Sequence, residues 1–192
     1  MHCEIYKLAL HASWKCLLDC KVVQLPVKPV RIASKYGIEC RLTDAFLTGG
    51  EAGKLIRRQS GKVQIVVNPK DTDSQKRFTI LHELGHYLLG DCEPAADRFA
   101  AGVLMPACVL LGANALDPVK ISSLCGVSKA AAERRSKRLF WLLGHDQFIR
   151  HPLEHELGSP PPMRGKVREF LFFRFILGIT PAYAGKRDGC GF

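Results

Sequence analysis

The sequence predicts an α+β fold, in which helices pack on a small sheet and a helix-turn-helix-like segment follows. Three observations lead to this prediction. Apolar residues recur at helical spacing in residues 4–20 and again in residues 74–104. Between these two segments the period changes from helical to extended. After Pro118, two short helical patterns flank a tight turn at residues 125–128.

The first half of the chain should contain two helices and a hairpin. The apolar side of the first helix, residues 4–20, is predicted to consist of Ile5, Leu8, Ala12, Cys16 and Cys20. A second helix should span residues 29–36, because Pro29 suits a first helical position and a glycine follows the segment. Residues 55–58 and 63–67 alternate as strands around a Gln-Ser-Gly turn, which indicates a hairpin.

Two further helices should follow the hairpin as neighbours. The third is predicted over residues 74–89, with N-caps offered by residues 71–73 and a stop at Gly90. The fourth has Pro94 at its first position and continues to Met105-Pro106. Because the connection between them is short, these two helices must pack against each other.

We divide the chain into a main domain, residues 1–112, and a helix-turn-helix-like extension, residues 113–144, in which Ser128 caps the second helix. Within residues 120–138, six residues are basic and Glu133 is the one acidic residue. DNA contact through this segment is one interpretation. A helical extension that packs on the main domain or holds its substrate is an interpretation that explains the segment at least as well. The predicted nucleic-acid or substrate contacts are Lys129, Arg134, Arg135 and Arg138.

Composition indicates a cytoplasmic globular protein. The net charge of +10 favours an acidic partner. The eight cysteines lack C-x-x-C pairs, so reduced thiols are a simpler interpretation than a disulfide framework. Lys7, Lys15 and Asp19 interrupt the apolar stretch that a secretory signal requires. We therefore predict no membrane association.

The motif that carries chemistry is HELGH at residues 82–86, inside the predicted third helix. Residues i and i+4 of a helix share one face, so the imidazoles of His82 and His86 can bind the same metal ion. Glu83 is placed to act as the general base. Tyr87 lies on another face and is predicted to pack, and Arg77 is predicted to have a structural or substrate-binding role.

A catalytic metal needs a third protein ligand, and Glu93 is our prediction because it starts the returning helix. Asp97, one turn further on, would then accept the second ring N–H of a ligand histidine. In the alternative, Asp97 is the ligand and Glu93 caps the helix. Cys92 offers a thiolate as a further candidate ligand.

These motifs resemble the ImmA/IrrE family of metallopeptidases. The similar segments are RFTILHELGHYLL from Arg77, EPAADRFAAGVLMP from Glu93, LPVKPVRIA at residues 25–33 and IVVN at residues 65–68. The resemblance implies a minimal zincin-like domain, with gluzincin-like ligands and a three-stranded sheet. It also implies Glu93 as third ligand, and Ala95 stands where many members have a second acidic residue.

The resemblance further implies a function. Members cleave a helix-turn-helix (Xre-like) repressor and so regulate mobile-element or stress-response genes. We expect one Zn²⁺ per chain, with Mn²⁺ as an alternative, because both metals accept two imidazoles and a carboxylate. A second hypothesis is a DNA-binding or sensor regulator, in which the zinc site is structural or regulatory.

The last segment, residues 145–192, is predicted to be unstructured or non-native. One DNA string can encode residues 158–166 in one frame and residues 179–186 in another. Such a direct repeat resembles a CRISPR array, so we predict read-through into repeat DNA somewhere between residues 145 and 158.

Overall fold

The computed structural model describes residues 2–144, and the predictions for residues 145–192 lie outside the described residues. The elements are α1 (His2–Asp19), α2 (Pro29–Lys35), β1 (Glu39–Leu42), β2 (Gly53–Arg57), β3 (Val63–Val67), α3 (Asp73–Leu89), α4 (Glu93–Leu104), α5 (Ala107–Gly112), α6 (Pro118–Cys125) and α7 (Lys129–Gly144). This arrangement confirms the predicted α+β class, with helices on a three-stranded sheet.

The sheet has the order β1-β3-β2, with β1 parallel and β2 antiparallel to the central strand. Ile65, Val66 and Val67 of β3 are fully buried, which marks β3 as the centre of the core. The hairpin prediction located β2 and β3, whereas β1 was not assigned from the sequence pattern. Three of the four residues of β1 are exposed, so this strand lacks the apolar alternation that identifies a half-buried strand.

Among residues 2–144, no strand pairs with the outer side of β2, which is a free edge of the sheet. The N–H of Arg58 donates to the Lys62 carbonyl at 2.9 Å, which fixes the positions of the hydrogen-bonded pairs. Bonded and non-bonded pairs alternate in an antiparallel ladder. The backbone N–H and C=O groups of Leu55 and Arg57 therefore point away from β3, toward the free edge.

The buried face of α1 differs from the predicted one. Leu8, predicted to face the core, is 56% exposed, and that part of the prediction was wrong. The buried positions are Ala9, Leu10, Ser13, Cys16 and Leu17. The reason is a close contact with α4, where a Cβ on Gly102 would lie 2.6 Å from Ser13 Oγ. The small residues of α1 therefore face α4, and the helix is rotated accordingly.

Capping fixes the limits of α3. Thr72 accepts the N–H of Gln75, and the Gln75 side chain accepts the N–H of Thr72, which forms a capping box. Gly90 ends the helix with φ 85° and ψ −171°, a conformation open essentially to glycine alone. The ends of α3 and α4 agree with the predicted limits to within one residue. The short helix α5 was not predicted.

A single apolar stretch among the described residues, Glu93–Gly112, is long and apolar enough to cross a membrane. It consists of α4 and α5, which are separated at Met105 and Pro106. The stretch is 67% buried inside the protein, and Phe99, Val103 and Leu110 belong to its core. It is therefore a core segment of this fold.

The segment α6–α7 has the predicted helix-turn-helix form, with Gly126 in the left-handed region and the Ser128 hydroxyl accepting the N–H of Ala131. Arg77 of α3 connects this turn to the rest of the protein. Its guanidinium donates to the carbonyls of Cys125 and Gly126 and, at 2.8 Å, to that of Val27. The structural role predicted for Arg77 agrees with these bonds, while the division of the chain at residue 112 stays a prediction.

Candidate metal centre

The helix α3 carries His82 and His86 one turn apart, and the chain returns through a tight turn to place Glu93 opposite them. The two Nε2 atoms are 3.0 Å apart. Each lies 3.2 Å from a different oxygen of the Glu93 carboxylate. The two imidazoles and the carboxylate therefore form a triangle of three groups of the kinds that bind metals.

The partners of the Nδ1 atoms fix the tautomer of each imidazole. His82 Nδ1 lies 2.9 Å from Asp97 Oδ1, and His86 Nδ1 lies 3.1 Å from the Gly90 carbonyl oxygen. A carbonyl oxygen only accepts, so His86 Nδ1 carries the proton, and the Asp97 carboxylate assigns the same state to His82. With Nδ1 as the protonated nitrogen, a neutral ring at either position would direct its Nε2 lone pair into the triangle.

Three lone-pair donors at this separation repel one another unless a cation lies between them. Two neutral Nε2 atoms have no proton to share, and the Glu93 carboxylate adds negative charge. Tetrahedral zinc with ligand bonds of about 2.0 to 2.1 Å needs ligand atoms about 3.3 Å apart. The observed 3.0 to 3.2 Å fits this requirement. These residues could hold a divalent metal ion of zinc's size.

The alternatives for the third ligand occupy other positions. Within residues 2–144, the one group of three or more such residues whose ligand atoms all lie within 4.8 Å of one another is His82, His86 and Glu93. Asp97 contacts the opposite nitrogen of His82, on the side away from the triangle. Cys92 lies at the N-cap of α4 and is not a member of the group. This placement favours Glu93 as ligand and Asp97 as the residue that orients His82.

The site lies at the protein surface. The side chains of His82 and His86 are 16% and 13% exposed, whereas that of Glu93 is 74% exposed. The imidazoles therefore form the floor, and the carboxylate forms part of the rim. The carboxylate is therefore open to solvent, while the imidazoles are only slightly exposed.

Glu83 lies beside the triangle and is partly buried. Burial raises the pKa of its carboxyl group above the ordinary value, and this effect is opposed by the nearby imidazoles of His82 and His86. A backbone hydrogen bond from Leu55 on the free edge of β2 also lowers the pKa. The N–H of Leu55 points toward that edge, so it holds the carboxylate where the sheet edge meets α3.

The close approach of α3 and α4 depends on Gly85. A Cβ at this position would lie 2.8 Å from Ala96 Cα and 3.2 Å from its Cβ. Neither neighbour is the flexible end of a long side chain, so the helices would have to separate. Gly85 thus sets the distance between the helix that carries the imidazoles and the helix that carries Glu93.

Replacing Gly85 by Ala should therefore weaken metal binding without direct loss of a ligand. We expect zinc affinity to fall by about tenfold or more, and overpacking to cost about 1 to 3 kcal/mol of folding free energy. Competition with a chromophoric chelator measures the first effect, and thermal unfolding measures the second. Gly61→Ala, in a surface turn with open space around it but with a φ of 77°, adds backbone strain away from the site and should leave zinc affinity unchanged. Unchanged zinc affinity in the Gly85→Ala variant would contradict the argument.

The remaining predicted residues lie away from the triangle. Tyr87 is partly buried and packs against the core, as expected, while Arg57 lies over its ring at 5.9 Å. Lys129 and Arg134 are exposed on α7, and Arg138 is partly exposed. Arg135 is only 7% exposed, which leaves little of its side chain for the predicted contact with nucleic acid or substrate, and that contact stays a prediction. It faces inward because the buried residues Ala132 and Leu139 share its side of α7.

Two residues of the site were missed by sequence reasoning. The Gly90 carbonyl accepts both the His86 Nδ1–H and the N–H of Cys92, so this turn orients a histidine as well as ending a helix. Leu55 contributes a backbone N–H, which is independent of side-chain type. The only sequence signal for the role of Gly90 was its position four residues after His86. No sequence pattern indicated the role of the Leu55 N–H.

Comparison with known proteins supports the same interpretation. Residues 33–137, more than half of the chain, match the model of the IrrE N-terminal-like domain, a peptidase family. The matched range includes the sheet, the helices α3 and α4 and most of α7. No curated protein sequence and no solved structure gave a significant match.

Proposed function

Because the chain belongs to the IrrE N-terminal-like domain family of peptidases, we propose that it is a zinc-dependent endopeptidase of the cytoplasm. Its proposed substrate is a specific intracellular protein, a helix-turn-helix transcriptional repressor. Cleavage of that repressor would relieve repression of mobile-element or stress-response genes. His82, His86 and Glu93 are the proposed zinc ligands, and Glu83 is the proposed general base.

The observation that carries the proposal is the convergence of three lone-pair donors, with Glu83 beside them. Each imidazole is held in the tautomer that a metal requires, by Asp97 for His82 and by Gly90 for His86. On a surface helix with solvated histidines, we would not expect hydrogen-bond partners that fix the orientation of both rings. Arrangements of this kind serve metal binding, and an open fourth position serves catalysis.

In the proposed mechanism, zinc would supply a Lewis acid and lower the pKa of a water molecule to about 7. Glu83 takes a proton from the attacking water at a carboxylate oxygen and passes it to the departing amine. Partial burial raises the pKa of this carboxyl group, which makes it a better proton acceptor than an ordinary glutamate. The Leu55 N–H orients the carboxylate during both transfers.

The free edge of β2 suits an extended peptide. Arg57 and the carbonyl of Leu55 direct backbone groups toward this edge, next to the proposed general base that the Leu55 N–H contacts. A substrate strand that pairs with this edge would bring its peptide bonds past Glu83. Recognition by main-chain hydrogen bonds requires an unfolded or extended segment, which favours a loop or linker of the substrate over a folded helix.

The proposal is tested with the full-length chain and the repressor encoded beside its gene. We expect the purified protein to bind one zinc ion and to cleave that repressor at a single bond, as seen by mass spectrometry. Chelation should stop cleavage, and zinc should restore it, while manganese tests the alternative metal. His11→Ala, an exposed histidine of α1, is the control for His86→Ala. Equal cleavage by the metal-free protein would refute the proposal.

A second candidate function is DNA binding or sensing through α6 and α7. Its support is the exposed basic surface formed by Lys129, Arg134 and Lys137 on α7. In this case the zinc site would be structural or regulatory. Binding to duplex DNA that weakens steeply with salt, and that is lost in a Lys129→Glu, Arg134→Glu variant, would favour this function.

A further inference from the structure

Alternate residues of β2 lie opposite successive turns of α3. A Cβ on Gly53 would collide with Cγ2 of Thr79, and the backbone of Leu55 bonds to Glu83. Arg57 then lies over the ring of Tyr87. Two strand residues advance about 6.6 Å and four helix residues about 6 Å, so each step along β2 meets the next turn of α3.

This register places Arg57 one step beyond the proposed general base. Tyr87 is the residue after the proposed ligand His86, and it is one helical turn from Glu83 on the same face of α3. The guanidinium carbon of Arg57 lies 5.9 Å from the centroid of the Tyr87 ring. Arg57 is thus two strand residues, roughly 6.6 Å along β2, from the residue that contacts the proposed general base.

The charge of Arg57 is available to a ligand. The residue is exposed, and none of the ion pairs found among residues 2–144 includes it. The next cation, Arg58, differs in this respect, because its Nε donates to Gln64 Oε1 at 2.7 Å. Stacking on an aromatic ring restrains the Arg57 side chain while leaving its N–H donors free to bind a carboxylate.

We propose that Arg57 is a specificity-determining residue that selects substrates with an acidic side chain within a few residues of the cleaved bond. This inference rests on the proposed peptidase function and adds the substrate class. A guanidinium presents a planar pair of donors that matches a carboxylate. A peptide lying on the edge of β2 would place one of its side chains within reach of this donor pair.

The test measures peptide binding without turnover, in the zinc-loaded full-length chain with Glu83→Gln. The probes are three fluorescein-labelled degenerate decapeptide pools, whose central residue is fixed as Glu, Lys or Ala. We expect the Glu pool to bind about tenfold more tightly than the Lys pool at physiological salt. Arg57→Glu should remove or reverse this preference, and Arg57→Lys should retain part of it.

The control is Lys54→Glu, which makes the same change in net charge on the same strand. Lys54 is exposed, lies on the other face of β2 and pairs with Glu51 at 3.6 Å. The inference is overturned if both Glu variants shift the preference equally, or if the parent protein shows no preference. Cleavage of the repressor by the zinc-loaded wild type is measured separately. Absence of cleavage with the binding preference intact would overturn the peptidase function and still support an acidic ligand at Arg57.

Discussion

Glu83→Gln should lower kcat/KM for repressor cleavage by about 10² to 10⁴, while one zinc ion stays bound per chain. The amide has nearly the same shape as the carboxylate, and its oxygen can still accept the Leu55 N–H. It cannot accept a proton from water at neutral pH. The variant therefore removes proton transfer and keeps the geometry of the three proposed ligands.

Zinc content by mass spectrometry and cleavage of the co-expressed repressor measure the two quantities independently. Glu133→Gln, which makes the same chemical change on α7, is the control and should retain full activity. A Glu83→Gln protein that still relieves repression in cells, without cleaving the repressor, would support the sensor function instead. Loss of zinc from this variant would show that Glu83 acts as a ligand and not as the base.

The parts of the fold that could be predicted are those fixed by local chemistry. The limits of α3 depend on the Thr72 cap and on Gly90, both of which lie within a turn of the segment that they end. The helical spacing of His82 and His86 follows from the same short-range geometry. Prediction succeeded here because each feature depends on residues close together in the chain.

The parts that could not be predicted depend on contacts between distant segments. The rotation of α1 is set by the approach of Gly102 to Ser13, and no pattern within α1 contains that information. The inward position of Arg135 is similar, because the packing of α7 buries one basic side chain and exposes its neighbour Arg134. A count of charges along a helix does not distinguish these two environments.

The site shows the same contrast between local and distant information. The histidine and glutamate side chains of the site can be recognised from residue type and spacing, so the HELGH motif predicts them directly. The groups that orient them include two backbone groups, the Gly90 carbonyl and the Leu55 N–H, whose availability depends on the turn and on the edge of the sheet. Arg57 reaches the site through the register between β2 and α3, which a sequence pattern does not contain.

Glu93→Ala and Asp97→Ala should separate the ligand from the residue that orients a ligand. Glu93 faces both Nε2 atoms at 3.2 Å, so its removal takes away one of three proposed ligands. For Glu93→Ala we expect zinc affinity to fall by more than about 100-fold and cleavage of the repressor to stop. Asp97 contacts only His82 Nδ1 at 2.9 Å, and loss of such a partner typically costs about 10- to 100-fold in affinity.

Zinc competition with a chromophoric chelator measures both variants under the same conditions. Asp97→Asn adds a conservative comparison, because an amide oxygen can still accept the His82 Nδ1–H, and it should recover much of the affinity lost in Asp97→Ala. If Asp97→Ala lost zinc completely while Glu93→Ala retained it, Asp97 would be the third ligand. In that case α4 would have to shift along its axis by about one helical turn, roughly 6 Å, relative to α3, because Asp97 now lies on the far side of the His82 ring from the triangle.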